Sequence, residues 1–320
     1  MGELTLEAIR AAHERIRDKV TRTPVLTSEV LDGHAGASLF FKAENLQKIG
    51  AFKARGATNA VFSMSEAEAA RGVVTHSSGN HAAALARAAQ LRGVPAYIVM
   101  PHNAPKAKVA SVQRLGGRIT FCEPTVAARE AGAAKLIDET GAQLVHPFND
   151  YRVMAGQGTA TLELLEDVPD LDVVMCPVGG GGLLSGTAVA AKGLKPGIRV
   201  IAVEPAGADD AARSFKAGKI VSEYSSHTIA DGLRTLVGTR TFPEIREHVD
   251  DIVTVSEGAI VQSMRMTWEA LKVIVEPSAA VPHAAFVEHK VSLAGKRVGI
   301  ILSGGNLDLD SLPWANTEVL

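Results

Sequence analysis

The sequence predicts an α/β protein with doubly wound, mostly parallel sheets. Short β-branched, apolar runs alternate along the chain with alanine-rich segments of helical spacing. No linker or low-complexity segment interrupts this alternation. The strand candidates are Val73-Val74, Ala96 to Met100, Arg118 to Cys122, Val173 to Cys176, Val200 to Val203 and Val298 to Leu302.

The composition is that of an ordinary soluble protein. With 320 residues, 46% of them hydrophobic, and a net charge of −2, the chain can bury a large core and has no basic patch for nucleic acid. Residues 1–17 have the pattern of a charged amphipathic helix rather than a signal peptide, and no apolar run approaches the ~20 residues that span a bilayer. The two cysteines, Cys122 and Cys176, make no disulfide framework. We therefore expect a cytoplasmic protein that binds neither nucleic acid nor a membrane.

The first candidate for chemistry is Lys53, which follows Phe52 and lies two residues before Arg55. A lysine amine is protonated near neutral pH, so it attacks carbonyls only when burial or a neighbouring cation, here Arg55, lowers its pKa. This setting is typical of a Schiff-base lysine. A single lysine among 33 Lys and Arg residues is otherwise most often a solvated surface charge.

Two turns that follow strand candidates are rich in polar residues. Residues 77–81, Ser-Ser-Gly-Asn-His, lie between Val73-Val74 and the alanine-rich helix pattern that starts at Ala82. A plain helix cap needs only one Ser or Asn, so five consecutive polar or glycine residues indicate a ligand site. Residues 303–306, Ser-Gly-Gly-Asn, follow the last strand candidate. Open α/β sheets bind ligands at the carboxyl ends of their strands.

A tetraglycine loop, Gly179 to Gly182, lies between a strand candidate and a helix of small residues. Its backbone N–H groups and the positive end of the helix dipole suit a phosphate. The order of elements around the loop, which is strand, loop, helix, strand and then Glu204, is also that of a dinucleotide-binding unit. On that interpretation the protein would be a nicotinamide-dependent oxidoreductase. Ser185 stands where that fingerprint needs its third glycine. Together with Lys53 and the two polar turns, the loop favours a pyridoxal 5'-phosphate (PLP) site.

These segments resemble the fold type II PLP enzymes, and within them the serine/threonine dehydratase and serine racemase family. The resemblance covers nearly the whole chain. It implies a small domain at residues 62–148, inserted into a large domain of residues 1–61 and 149–320, with PLP in the cleft between them and a homodimer as the assembly. The other matching stretches are Thr75 to His81, Ala155 to Thr159, Val203 to Pro205, Thr228 to Gly232 and Val275 to Ser278.

The resemblance also implies a role for each residue that would hold the cofactor. Lys53 matches the Schiff-base lysine, with Phe52 against the ring, and Asn80 matches the partner of the pyridine hydroxyl. Gly179, Gly180, Gly181 and Gly182 would hold the phosphate, and Ser303 would face the pyridine nitrogen. Because a neutral hydroxyl does not favour the pyridinium form, the ring is a weaker electron sink, and elimination is favoured over transamination.

For the substrate, Ser77, Asn80 and His81 match the group that receives its carboxylate. Ser78 matches the serine that acts in racemases as a second acid/base, opposite the lysine. Arg129 matches an arginine that closes over the pocket. Two of these residues have simpler explanations, since Ser78 could hydrogen-bond the turn and Arg129 could be a solvated helix charge.

Several positions depart from the family pattern. Ala82 and Ala83 stand where many relatives have Gly-Gln, Leu115 where some racemases have tyrosine, and Ala51 where serine is common. We expect a more apolar pocket rim, to which Phe148 could contribute, although an aromatic residue in an apolar segment is more often core. The expected rim puts serine in doubt as the preferred substrate.

A divalent cation is the second expected ligand. The loop from Glu204 to Asp210 offers two carboxylates and backbone carbonyls, which are the hard oxygen ligands of Mg²⁺ or Ca²⁺. In metal-activated members of the family, the residues matching Glu204, the Ala208 carbonyl and Asp210 bind such an ion, with Mn²⁺ a further candidate. The alternative is structural: Asp209 or Asp210 caps the next helix and Glu204 is solvated.

The resemblance predicts a PLP-dependent ammonia-lyase that converts a β-hydroxy-α-amino acid into a 2-keto acid and ammonia, with racemisation through Ser78 as a further activity. L-threonine and L-serine come first as a substrate class. A 3-hydroxyaspartate would suit Arg129 and His81, and a 3-phenylserine would suit the apolar rim. A non-catalytic PLP-binding protein is the alternative from another functional class.

Overall fold

The computed structural model describes residues 3–223 and 225–314, and it confirms the predicted α/β class. Strands of the described residues are β1 Val25–Leu26, β2 Ser38–Ala43, β3 Val73–His76, β4 Ala96–Pro101, β5 Arg118–Cys122, β6 Gln143–Leu144, β7 Val173–Pro177, β8 Arg199–Pro205, β9 Asp251–Val255 and β10 Arg297–Leu302. Helices are α1 Leu6–Ile16, α2 Glu29–Ala35, α3 Lys53–Phe62, α4 Glu66–Ala70, α5 Asn80–Arg92, α6 Lys106–Arg114, α7 Val126–Thr140, α8 Tyr151–Asp167, α9 Gly182–Leu194, α10 Asp210–Ala217, α11 Thr241–His248, α12 Glu257–Leu271 and α13 Pro277–Val287.

The larger sheet has the strand order β1-β2-β10-β7-β8-β9. Only β1 runs antiparallel to its neighbour, and the other pairs are parallel. Apolar clusters cover both faces of this sheet: α12 and α13 pack on one face, and α8 and α9 pack on the other. The doubly wound arrangement predicted from the alternating pattern is therefore present, and the central strands β10, β7 and β8 bury side chains on both sides.

The smaller sheet has the order β5-β4-β3-β6, with every pair parallel. Its strands all fall between Val73 and Leu144, inside the range predicted for the small domain, and α5 packs beside them. The domain boundaries at residues 62 and 148 stay a prediction. Within the described ranges, no helix combines the length and apolar character needed to cross a membrane.

The topology places each predicted ligand-binding turn at the carboxyl end of a strand. Residues 77–81 follow β3, the glycine loop follows β7, and residues 303–306 follow β10. Since parallel strands of one sheet end on the same edge, the last two turns are neighbours. The first turn reaches them from the smaller sheet through Asn80, whose side chain bonds Glu276, just before α13, and Asn306, in the turn after β10.

Candidate active site

Lys53 is fixed by its neighbours in the sequence. Ala51 forms an antiparallel bridge with Gly304, and the Phe52 N–H donates to the Ser303 carbonyl at 2.9 Å. Lys53 is the first residue of α3, so its side chain starts beside the turn that follows β10. Its Nζ donates to the Pro147 carbonyl at 2.6 Å and lies 5.0 Å from the centre of the Phe52 ring.

Burial lowers the pKa of Lys53 to about 8. The expected contribution from Arg55 was wrong, because that guanidinium is bound between Glu44 and Glu163 and burial alone causes the shift. With this pKa, roughly a tenth of the amine is neutral at pH 7. Lys53 is therefore a usable nucleophile and base near neutral pH.

The glycine loop is packed too tightly for any other residue type. A Cβ on Gly180 would lie 2.4 Å from the Phe148 ring, and one on Gly182 would lie 2.8 Å from the Phe148 Cβ. Gly181 has φ = 89°, and the Thr241 hydroxyl donates to the Gly180 carbonyl at 2.8 Å. Because α9 begins at Gly182, its first N–H groups lack partners within the helix. They are the donors a phosphate needs.

Asn80 belongs to a hydrogen-bond network around the buried Glu276, which the sequence pattern does not predict. Its Nδ2 donates to Glu276 Oε1 at 3.0 Å, and its Oδ1 accepts from Asn306 Nδ2 at 3.0 Å. The Asn306 N–H also donates to Glu276, at 3.1 Å. Asn306 Nδ2 also donates to the Ile49 carbonyl, so it is this donor that fixes the Asn80 amide with Oδ1 toward Asn306 and Nδ2 toward Glu276. The matched stretch Val275 to Ser278 was a signal for Glu276, but spacing alone gave it no role.

Glu276 itself lies in an unusual environment for a carboxylate. Burial, followed by the charge of Asp231, raises its pKa to about 7. A Cβ on Gly304 would come within 2.6 Å of Glu276 Oε1, so the glycine in the turn after β10 is required for this approach. The Ser303 turn and the Asn80 turn therefore meet at one carboxylate.

The residues predicted to receive the substrate carboxylate lie together in the turn after β3. Ser77 and Ser78 are partly exposed, and Ser77 Oγ accepts from the Gly79 N–H at 3.3 Å. His81 is buried, and its Nε2 lies 3.0 Å from the Val145 carbonyl, so that nitrogen carries the proton. Burial and then the charge of Lys53 lower the His81 pKa to about 3. His81 therefore supplies no positive charge to a carboxylate.

Two further histidines, which were missed, lie beside the segment that accepts the Lys53 amine: His146 precedes Pro147 and contacts His76. The rings of His76 and His146 meet edge to face at 5.6 Å, and His146 meets Phe148 in the same way at 4.6 Å. His146 Nδ1 accepts from the Asn149 N–H at 2.9 Å, which places its proton on Nε2, and burial and then His76 lower its pKa to about 4. His76 is the last residue of β3 and His146 follows β6, so both lie at the carboxyl ends of strands of the smaller sheet, which was the available signal.

Arg129 lies in the first turn of α7, where its Nε donates to the Thr125 carbonyl at 3.4 Å. Burial lowers the pKa of His76, and the opposite charges of Glu130 and Arg129 act on it in opposite directions. The expected apolar rim was wrong for Ala82, which is fully buried in the core beside the smaller sheet, and Leu115 packs against that same core. Ala51 is also fully buried.

A family model described as pyridoxal-phosphate dependent enzyme matches residues 16–304. The chain belongs to this family of PLP-dependent enzymes. A beta-hydroxyaspartate dehydratase of Paracoccus denitrificans (strain Pd 1222) is 53% identical over 310 residues, covering 97% of this chain and 98% of the relative. The serine racemase of Arabidopsis thaliana is 54% identical over 310 residues, covering 95% and 94%. The solved structure of maize serine racemase has a TM-score of 0.94 at 50% identity and covers 96% of this chain and 94% of that chain.

These comparisons confirm the resemblance to fold type II PLP enzymes of the serine racemase and dehydratase kind. They also favour the phosphate interpretation of the glycine loop over the nicotinamide one. The residues present fit PLP: Lys53 offers an amine of lowered pKa, and Gly179 to Gly182 offer a cradle that a Cβ would fill. The other cofactor contacts, through Phe52, Asn80 and Ser303, stay predictions of role, although the structure brings these residues to one place.

The PLP-dependent chain also carries the predicted cation loop. Glu204 is fully buried rather than solvated, and its two oxygens accept from the Ala211 and Ala212 N–H groups at 3.0 and 2.9 Å, which caps α10. Asp210 Oδ2 accepts from the Val237 N–H at 2.8 Å, whereas its Oδ1 is buried without a partner. Among the residues the structure describes, no group of three or more His, Cys, Asp or Glu side chains is placed to hold a metal.

Proposed function

We propose that this protein is a PLP-dependent ammonia-lyase that converts a β-hydroxy-α-amino acid into a 2-keto acid and ammonia. The observation that carries the proposal is the Lys53 amine, which has a pKa of about 8 and donates to the Pro147 carbonyl, next to Phe148, which packs on the loop that fits a phosphate. When bound, PLP supplies an electron sink for the substrate α-carbon. Dehydratase and racemase names among close relatives support the same chemistry.

Lys53 is the base of the proposed reaction. Its neutral fraction at pH 7 can take the substrate α-proton at Nζ, while the Pro147 carbonyl holds that nitrogen in place. Loss of the β-hydroxide as water, followed by hydrolysis of the carbon–nitrogen bond, gives the 2-keto acid and ammonia. Burial is the cause of the lowered Lys53 pKa, and among the described residues no charge of a carboxylate acts against it. The pKa values of His76, His81 and His146 are lowered as well, so these imidazoles are neutral at pH 7.

Ser78 is the proposed second acid/base and would permit racemisation. Racemisation needs a proton delivered to the face of the α-carbon opposite Lys53. Ser78 lies in the turn after β3 and is partly exposed, so its hydroxyl is available to a substrate. The named racemase of Arabidopsis supports this second activity.

A 3-hydroxyaspartate is the second candidate substrate, alongside the L-threonine and L-serine class. The dehydratase named for this substrate is 53% identical to the chain over nearly its whole length. Arg129 is the proposed partner of the extra carboxylate, because it matches the arginine that closes over the pocket in related enzymes and because His81 is neutral. A 3-phenylserine loses support, since Ala82 lies in the core and Leu115 packs against it.

We also propose a divalent cation, Mg²⁺, Ca²⁺ or Mn²⁺, bound by Glu204, Asp210 and the Ala208 carbonyl. Burial raises the pKa of Glu204 to about 9 and that of Asp210 to about 6, so the charged forms of both carboxyls are disfavoured in this loop, and Asp210 Oδ1 is buried without a partner. A cation completed by water would favour the charged forms.

A homodimer in the cytoplasm completes the proposal. Leu46 and Ile274 are exposed apolar residues on neighbouring segments, since Asn45 Nδ2 donates to the Ile274 carbonyl at 3.0 Å. An exposed apolar surface of this kind suits a second copy of the chain. Analytical ultracentrifugation of the holoenzyme should give twice the chain mass.

The test is keto acid release by the holoenzyme from L-serine, L-threonine, 3-hydroxyaspartate and 3-phenylserine. We expect turnover of at least one of the first three. Arg129→Ala should lower kcat/KM for 3-hydroxyaspartate about a hundredfold and change threonine much less, because a desolvated carboxylate loses its partner. An equal loss on every substrate would assign Arg129 to pocket closure. No keto acid from any of the four would refute the ammonia-lyase.

A further inference from the structure

We infer that Arg55 is the positioning residue for Lys53, and that it acts by locking helix α3 to helix α8. The inference rests on the proposed role of Lys53 and goes beyond it, because the sequence pattern gave Arg55 only an electrostatic effect on the lysine. The structure shows that this effect is not the cause of the lowered Lys53 pKa. Arg55 therefore needs another explanation.

Arg55 lies at the centre of a fully buried ion cluster. Its Nε and Nη2 donate to the two oxygens of Glu44 at 2.7 and 2.8 Å, and its Nη1 and Nη2 donate to the two oxygens of Glu163 at 2.7 Å each. Nη1 also reaches Thr159 Oγ1 at 3.1 Å, and Lys42 Nζ lies 2.8 Å from Glu163. One guanidinium thus makes two bidentate pairs, a geometry that lysine cannot reproduce.

The partners of Arg55 come from different parts of the fold. Glu44 directly follows β2, whereas Glu163 and Thr159 lie on α8. Arg55 is in the first turn of α3, two residues after Lys53. The cluster therefore fixes the start of α3 against both the larger sheet and α8.

The two helices touch backbone to backbone beside the cluster. A Cβ on Gly156 would lie 2.6 Å from the Gly56 Cα, and the Gly56 N–H donates to Gln157 Oε1 at 3.1 Å. Since α8 begins at Tyr151, the segment that enters it carries Pro147, whose carbonyl accepts the Lys53 amine. The relation of α3 to α8 thus sets where Nζ lies relative to that carbonyl.

Charge balance favours this geometric role over a role in lowering the lysine pKa. The cluster holds two cations, Arg55 and Lys42, and two carboxylates, Glu44 and Glu163, so it has no net charge to impose on Lys53. A buried ion cluster is often no more stabilising than apolar side chains of the same volume. What it does provide is a fixed geometry.

The test measures the Lys53 amine directly. The full-length chain, freed of PLP, is acylated competitively at a series of pH values, and the labelling of Lys53 is followed by mass spectrometry. In the wild type we expect a pKa of about 8. Arg55→Lys should raise it by about one unit, because an amine that leaves its buried position is solvated. In the holoenzyme, kcat should fall about tenfold to a hundredfold, with KM changed less.

Leu164→Ala is the matched control, since Leu164 is buried on α8 next to Glu163 but packs in the apolar cluster on the other side. Leu164→Ala should lower Tm at least as much as Arg55→Lys does, and it should leave the pKa measured by Lys53 labelling unchanged. If Arg55→Lys does not fold, Glu163→Gln decides in the same way, because it keeps the volume and breaks one bidentate pair. An unchanged Lys53 pKa in the Arg55 or Glu163 variant, or an equal shift in Leu164→Ala, would overturn the inference. If the labelling of Lys53 in the wild type instead follows the ordinary lysine pKa of 10.5, that result counts against the proposed function.

Discussion

Replacing Lys53 by methionine should stabilise the PLP-free protein while it abolishes turnover. Methionine keeps an unbranched chain of similar length and removes the amine. The amine is held in a buried position that lowers its pKa from 10.5 to about 8, so the fold disfavours its charged form. A catalytic group of this kind costs stability that the variant should recover.

The size of the gain follows from proton linkage. Below pH 8 the amine is charged in both folded and unfolded chains, and the fold carries the whole penalty, which a shift of this size puts at about 3 kcal/mol. Lys53 is partly exposed, and solvent screening reduces this to about 2 kcal/mol. Between pH 8 and 10.5 the folded chain loses its proton first, so the penalty shrinks as pH rises. Above 10.5 it is absent.

Thermal unfolding of the PLP-free protein provides the assay. A chain of this length has an unfolding entropy near 0.7 kcal/mol per kelvin, so Lys53→Met should raise Tm by about 3 °C at pH 7 and by much less at pH 10. Lys48→Met, at an exposed lysine five residues earlier, is the control and should leave Tm unchanged. A fall in Tm at pH 7, or a gain independent of pH, would show that Lys53 does not lie in a desolvated position.

Three further predictions concern the cation, the second acid/base and domain closure. Mg²⁺ at about 100 times its Kd should stabilise the folded protein by about 2.7 kcal/mol and raise Tm by about 4 °C. Glu204→Gln should abolish this shift in Tm. A Tm that changes with neither chelator nor cation would leave the Glu204 loop with helix capping as its role. Ser78→Ala should remove racemisation and keep most elimination, whereas equal loss would assign Ser78 to binding. Lys108 Nζ lies 2.6 Å from Asp231 Oδ2 and joins α6 to the segment Asp231–Leu233, which packs on the larger sheet, so Lys108→Asp should lower kcat/KM severalfold at low salt. Adding Asp231→Lys should restore it.

The strand cores could be predicted because their apolar runs are short and bounded by turns. Arg118–Cys122 matches its prediction, and the other strand candidates extend by one to three residues. Strand β2 was missed, since Lys42 is buried inside it by pairing with Glu163 and breaks the apolar pattern. An ion pair between residues that are far apart in the sequence cannot be predicted from the short stretch around either one.

The same limit applies to the site. Lys53, the glycine loop and Asn80 are recognisable because each lies in a local pattern that its chemistry requires. Glu276 is not, because its function arises only where it meets Asn80, which lies 196 positions away in the sequence. Arg55 lies close to Lys53 in the sequence, and this predicted that its charge lowers the Lys53 pKa. That prediction was wrong, because Glu44 and Glu163 neutralise the Arg55 charge.

The central claim is that Lys53 is the residue that binds PLP covalently, and one experiment tests it directly. Holoenzyme should show an absorbance band near ~410 to 420 nm that disappears on borohydride reduction. Peptide mapping should then place the reduced cofactor on Lys53, and Lys53→Ala should show neither the band nor the labelled peptide. A band that persists in Lys53→Ala, or a label on any other lysine, would contradict the claim.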